Sequence, residues 1–298
     1  MKPTLQTSVA SVKDPTENRF FRFKENAMKI VFLLAACVSA AAVLAICAFL
    51  FAGGIPAMRE VGVIKFLTGN IWKPTEGIYG IFPMIIGSLY VTAGAILIGV
   101  PIAVFCAAYL ACFCPPKIYK ILKPMTELLA GIPSIVYGFF GLMLIVPFFQ
   151  EIFGSSGKGL LTASVILGIM ILPTVISVSE AALRAVPDSY FEGALALGAT
   201  KEKSVLFTVV PAAKSGILAG VVLGIGRAIG ETMAVIMVAG NQPQIPHSLL
   251  DGVRTMTANI VIEMGYATDL HREALVATAV VLFVFILIIN LCVSLLRS

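Results

Sequence analysis

VVPAAKSGILAGVVLGIGRAIGETMAVIMVAG, residues Val209 to Gly240, is long and apolar enough to cross a bilayer, yet the GRAIGETMAV within it, residues 226 to 235, holds an arginine and a glutamate. About 20 apolar residues span the hydrocarbon as a helix, because only a helix satisfies its backbone from within one segment. A charge placed there costs on the order of 2.5 to 3.5 kcal/mol, so it faces protein or water and marks a functional position. At about 100° per residue, Gly216, Gly220 and Gly224 make one stripe, with Arg227 and Glu231 each about 20° from its line. Small residues every fourth position let another helix come close. The expectation is a continuous helix whose glycine stripe packs on a neighbour and whose Arg227 and Glu231 line a translocation path or gate. The competing reading is a structural pair that neutralises itself, but arginine before glutamate is the less favourable order for one.

The rest of the chain has the same character. Of its 298 residues 59% are hydrophobic and 12% charged, with a mean hydropathy of +0.99, beyond what a water-soluble domain carries. Apolar windows fall at roughly 30–52, 84–111, 125–149, 160–183, 209–239 and 274–296, which predicts an all-α integral membrane protein of six transmembrane helices. The first window is too long for a secretory signal, follows a polar stretch and precedes five more spans, so it reads as a retained anchor. The organisation expected is a cytoplasmic N-terminal segment, 1–28, followed by a membrane domain, 29–298, in contact with lipid.

The net charge of +5 is not gathered on one face, so no nucleic-acid surface is indicated. Lysines and arginines instead sort by loop, fourteen on the side of the termini against six on the other, and the positive-inside rule places both termini in the cytoplasm. The six cysteines lie in or beside apolar spans and read as small hydrophobes rather than as disulfides or a metal site. GSSGKG at 154–159 lacks the first glycine and the final Ser or Thr of a phosphate-binding loop. With only His247 and His271 available and no nucleophile–base pair, the chain reads as a non-enzyme without a cofactor.

The long external loops fall at 53–83, with Trp72 as a candidate interface anchor, and 241–272. In the second, Leu249, Leu250, Val253, Met256, Ile260 and Met264 recur near helical spacing, suggesting a short helix on the membrane surface or against a soluble partner. TELLAGIPSIVYGFFG, 126–141, opens the third window with Gly131, Pro133, Gly138 and Gly141, read as close helix packing.

Between the fourth and fifth windows lies VPDSYFEGALALGATKEKSVLFTVVP, 186–211. Ser189 and Glu192 have capping-box spacing for a helix starting at Tyr190, Gly198 suits its C-terminal turn, and Thr200 can cap a second helix. Phe191, Ala194 and Leu195 form an apolar face that a partner groove, or the protein's own span ends, would cover.

Glu192-Gly193-Ala194, Gly198 and Pro211 resemble the EAA loop of ABC-importer membrane subunits, with Gly193, Thr208 and Val210 departing from its pattern. LLAGIPSIVYGFFG and GRAIGETMAV look like the phosphate-specific permeases of bacteria, nearer the PstC type than the PstA type. The resemblance implies a type I ABC-importer permease fold in the bacterial inner membrane, with Ser189, Phe191, Glu192, Ala194, Leu195, Gly198 and Pro211 in the loop that couples to an ATPase. It also implies the partners: a PstA-like second permease, two cytoplasmic ATP-binding subunits and an external phosphate-binding protein. Arg227 would then attract the oxyanion, and Glu231 would hold the guanidinium and keep the anion from binding too tightly. The readings left beside it are a permease for sulfate or molybdate, a secondary transporter driven by an ion gradient, and a membrane scaffold.

Overall fold

A computed structural model describes residues 15–297 and is almost wholly helical. The chain runs α1 (Pro15–Val61), α2 (Val63–Thr68), β1 (Trp72–Lys73), β2 (Ile78–Tyr79), α3 (Phe82–Ala108), α4 (Pro116–Gly131), α5 (Ser134–Phe140), α6 (Val146–Phe153), α7 (Leu160–Arg184) and α8 (Asp188–Ala196). It continues through α9 (Lys201–Ser204), α10 (Val210–Ala212), α11 (Lys214–Gly230), α12 (Met233–Val238), α13 (Met256–Met264) and α14 (Asp269–Arg297). Three π turns, Tyr109–Phe113, Gly141–Ile145 and Val205–Val209, join α3 to the next loop, α5 to α6 and α9 to α10.

Among the described residues, five helical stretches are long and apolar enough to cross a membrane: Lys24–Val61, Phe82–Phe113, Ser134–Phe153, Leu160–Arg184 and Asp269–Cys292. A sixth is the pair Lys201–Ala212 and Lys214–Gly230, bent by 72°. The described residues up to Phe51 form one compact unit. It is an apolar helix whose side chains from 24 to 46 are all exposed, the surface that lipid solvates. It begins well before the apolar window, at Pro15, while residues 1–14 of the N-terminal segment lie outside the described residues.

The second unit runs from Ala52 onward, and its centre is α7, which packs against α3 and α11. Glycine permits the first contact: a Cβ on Gly99 would stand 2.6 Å from the Gly168 carbonyl oxygen. A smaller core lies under the hairpin of β1 and β2, where Trp72 pairs with Tyr79 and both pack with Phe66, Ile81, Met84 and Leu275.

Two expected spans are broken. The helix that enters the third window, α4, stops at Gly131, because Ile132 before Pro133 is extended, with ψ 126°, the conformation a following proline enforces. The crossing helix therefore starts at Ser134, not near Met125. The window at 209–239 bends at Ala213 and ends at Gly230, with Glu231 extended at φ −69°, ψ 134°. The helix in the loop 241–272 forms only over Met256–Met264, and it is buried: Asn259 is 0% exposed and Glu263 6%. Its buried polar residues turn inward, where Arg254, just before the helix, donates to Asn259 Oδ1 and to Glu263.

Candidate functional site

The glycine stripe of α11 is its seam with α7. Cβ atoms added at these positions would meet Ala182 at Gly216, Val178 at 3.2 Å from Gly220 and Val175 at 2.9 Å from Gly224. Arg227 follows in the last turn, and its Nη1 donates to Thr174 Oγ1 at 3.3 Å, its one side-chain hydrogen bond among the described residues. Glu231 does not continue the stripe, because the helix has ended. Its carboxylate accepts from the Ala234 amide at 3.1 Å and caps α12, while its carbonyl accepts from Thr257 Oγ1 at 2.9 Å. Among the described residues no ion pair joins Arg227 to Glu231, so the glutamate does not hold the guanidinium as expected from a continuous helix.

The two helix breaks are neighbours. A Cβ on Gly138 would stand 2.8 Å from Ala234 Cα, and one on Gly141 3.0 Å from Val238, so α5 and α12 run parallel. Just before these contacts lie Ser134, where α5 starts, and Gly230, where α11 ends, the edges of the breaks. Non-helical backbone at membrane depth persists only where it is buried in protein or lines a water-filled cavity. Tyr137 fastens the first break by donating to the Leu129 carbonyl at 2.8 Å.

In the loop at 186–211, α8 starts at Asp188 with Pro187 as its cap residue, and Ser189 makes no capping bond, so the capping box does not form. Gly198 is left-handed at φ 86°, and Thr200 Oγ1 accepts from the Lys203 amide at 3.4 Å. Phe191 packs on the protein's own core, with Ala194 and Leu195 half-buried, while Ser189, Tyr190, Glu192 and Leu197 are exposed. Leu197 reaches 92% exposure, an apolar tip with no cover among the described residues. Pro211 is exposed just before the 72° bend.

Two buried carboxylates organise the ends of the bundle, and neither stood out from the sequence. Near the C-terminal end of α7, Glu180 Oε1 accepts from Tyr119 Oη at 2.7 Å and Arg184 Nε at 2.9 Å, and Oε2 from Lys123 Nζ at 2.9 Å. Arg184 also donates to the Leu110 carbonyl at 2.8 Å, in the π turn after α3, and lies 4.5 Å from the Tyr119 ring centroid. The hydrogen bond to Glu180 holds the Tyr119 hydroxyl above its ordinary pKa. The signal for Glu180 was the one used for Glu231: an ionisable residue in an apolar window.

Near the other end of α7, Glu263 takes hydrogen bonds from Trp72 Nε1 at 2.8 Å and Arg254 Nη1 at 2.6 Å, with His271 Nε2 at 2.9 Å. The same end is marked by Leu160, whose amide donates to Asp251 in the loop before α13. Trp72 is only 5% exposed; its indole N–H is spent on Glu263 rather than at a lipid interface.

Residues 99–298 match the family described as binding-protein-dependent transport system inner membrane component. The chain is 40% identical over 274 residues to the probable ABC transporter permease protein YqgH of Bacillus subtilis, covering 88% of each. It is 37% identical over 261 residues to the phosphate transport system permease protein PstC of Mesorhizobium japonicum, covering 80% of each. A bacterial ABC transporter that imports the polysaccharide alginate superposes with a TM-score of 0.61 at 13% identity, over 93% of this chain and 98% of that one. A methionine ABC transporter in an inward-facing form gives 0.53 at 21% identity, over 73% and 93%. These structures share the fold of type I importer permeases, and with the family match and the relatives they establish that the chain belongs to the binding-protein-dependent transport system inner membrane components, as a non-enzymatic ABC-importer permease of PstC type.

Proposed function

We propose that this chain is the membrane subunit of an ATP-driven phosphate importer, forming the translocation path with a second, PstA-like permease. Two cytoplasmic ATP-binding subunits and an external phosphate-binding protein complete the assembly. The observation that carries the reading is the state of Arg227. It stands in the last turn before a helix break, half-buried, with one side-chain bond to a neutral hydroxyl and no ion pair to Glu231. A guanidinium has five donors in a planar fork matched to oxyanions, so most of its hydrogen-bonding capacity is unspent. Phosphate as the cargo is supported by the names of the PstC relatives.

The loop 186–211 is the ATPase-coupling element in this reading, with Tyr190, Glu192 and Leu197 exposed for docking and Phe191 holding α8 to the bundle. The cation count of the short loops supports both termini in the cytoplasm.

Arg227→Gln in the reconstituted transporter tests the path. Hydrogen bonds to a charged group are worth about 1.5 to 3 kcal/mol, so phosphate uptake is expected to fall by at least about tenfold while the ATP-binding subunits still co-purify. Arg227→Lys, which keeps the charge without the fork, is expected to retain part of the uptake. Near-normal uptake in Arg227→Gln overturns the path role. Uptake of labelled sulfate in place of phosphate would assign the chain to another oxyanion, and uptake that survives removal of the ATP-binding subunits would make it a secondary transporter.

A further inference from the structure

We propose that Glu180 is a positioning residue for transport: its clamp makes α4 the strut that relays movement of the loop at 186–200 to the helix break at Glu231. The inference rests on the transport reading above and goes beyond it by naming the route.

The clamp stands at the root of the loop. Arg184, which holds Glu180 Oε1 at 2.9 Å, ends α7, and α8 begins at Asp188. Displacement of α8 therefore pulls first on Arg184. Glu180 passes that load to α4, because Tyr119 at 2.7 Å and Lys123 at 2.9 Å bind the same carboxylate.

α4 has no fully buried residue; only Leu122 and the Tyr119 ring rest on the core, and the bonds of Tyr119 and Lys123 to Glu180 add polar anchors to that thin apolar contact. The helix then runs unbroken to Gly131, where Tyr137 takes it up by donating to the Leu129 carbonyl at 2.8 Å. Tyr137 belongs to α5, which lies against α12 through Gly138 and Ala234. The Ala234 amide is the group that Glu231 caps. Every joint in this route is a named contact or a short covalent link between helices, with Pro124 the one irregular residue inside α4.

Stability alone does not account for the clamp. The Glu180 side chain is 3% exposed, with two cations spent on it, and buried ion pairs replaced by well-packed apolar groups are often neutral or better. What the charges supply here is one relative position of α3, α4 and α7.

The test uses the assembled transporter in proteoliposomes with phosphate-loaded binding protein. Glu180→Gln keeps the shape of the side chain and removes its charge. The expected result is normal assembly with the ratio of stimulated to basal ATP hydrolysis reduced at least fivefold and uptake reduced in parallel. A purely structural role would lower yield or thermal stability and leave that ratio, per assembled complex, unchanged; an unchanged ratio overturns the proposal. Should Glu180→Gln fail to assemble, Tyr119→Phe decides, since it deletes one hydroxyl and leaves both cations in place: a lowered ratio supports the relay and a wild-type ratio overturns it. A wild-type complex that phosphate-loaded binding protein does not stimulate would overturn the transport reading itself.

Discussion

At Glu231 one residue does two jobs that a helical wheel assigns to neither. Its backbone leaves the helix, so its carbonyl is taken by Thr257, and its carboxylate caps the next helix at Ala234. The cap needs an acceptor and no charge. Glu231→Gln is therefore expected to leave thermal stability within a few tenths of a kcal/mol, while Glu231→Ala, which removes the cap, costs about 0.5 to 2 kcal/mol. Unfolding of the purified chain in detergent checks the difference. Uptake should fall in both variants if the negative charge also serves the path, and only in Glu231→Ala if the cap is its whole role. The two charges of GRAIGETMAV were legible as functional because an apolar window has no other use for them. Their geometry was not, since the end of the helix depends on Thr257, which lies far along the sequence. Glu180 carried the same signal, but it stands close to the end of its window, where an ionisable residue is ordinary.

Among the elements, the glycine stripe reads directly from sequence, because a four-residue spacing of small residues has one physical use in an apolar helix. The structure adds which neighbour it serves and which glycines are idle. A Cβ on Gly224 would press on Val175 at 2.9 Å, whereas Gly226 has nothing within 4 Å. Gly224→Val is expected to destabilise the chain by roughly 1 to 3 kcal/mol through overpacking, and Gly226→Ala to be neutral or slightly stabilising; thermal unfolding of both variants separates them.

Gly198 is the other position where glycine is required. Its surroundings are open, but its φ of 86° is left-handed, so Gly198→Val meets backbone strain of about 1 to 2 kcal/mol rather than a clash. Insertion should survive and transport-coupled ATP hydrolysis should drop; unchanged coupling would show that the turn does not matter. The capping box at Ser189 failed for a reason local pattern does not carry: Pro187 starts the helix earlier, at Asp188, so Ser189 lies inside the first turn.

For the whole molecule, composition alone was enough to establish a helical membrane protein, and short-loop charge gives the orientation to be expected. In the long loop at 241–272 apolar residues at helical spacing predict a short helix on the membrane surface or against a soluble partner; a helix forms over Met256–Met264, with Asn259 and Glu263 buried. In a bilayer protein a polar face also turns inward when another loop brings partners, as Trp72 and His271 do for Glu263. The orientation is open to a direct check. On a thiol-free background, cysteine at Ser156, exposed beyond α6, is expected to react with a membrane-impermeant maleimide in intact cells, and cysteine at Lys201 only after the membrane is opened. The opposite pattern would invert the topology and move the loop at 186–211 away from any ATPase.

The early end of α11 makes bilayer thickness a variable for this protein. Seventeen residues from Lys214 to Gly230 rise about 25 Å, less than the roughly 30 Å of hydrocarbon between the headgroups. With Lys214 at one headgroup layer, the helix runs out several ångströms short of the other, and the extended backbone at Glu231 together with α12 covers the rest. A thinner film brings headgroups and water nearer that seam, and a thicker one leaves more of it in oil. Transport reconstituted in lipids of graded acyl length should therefore pass through an optimum, while rigid-body docking of the ATP-binding subunits stays the same.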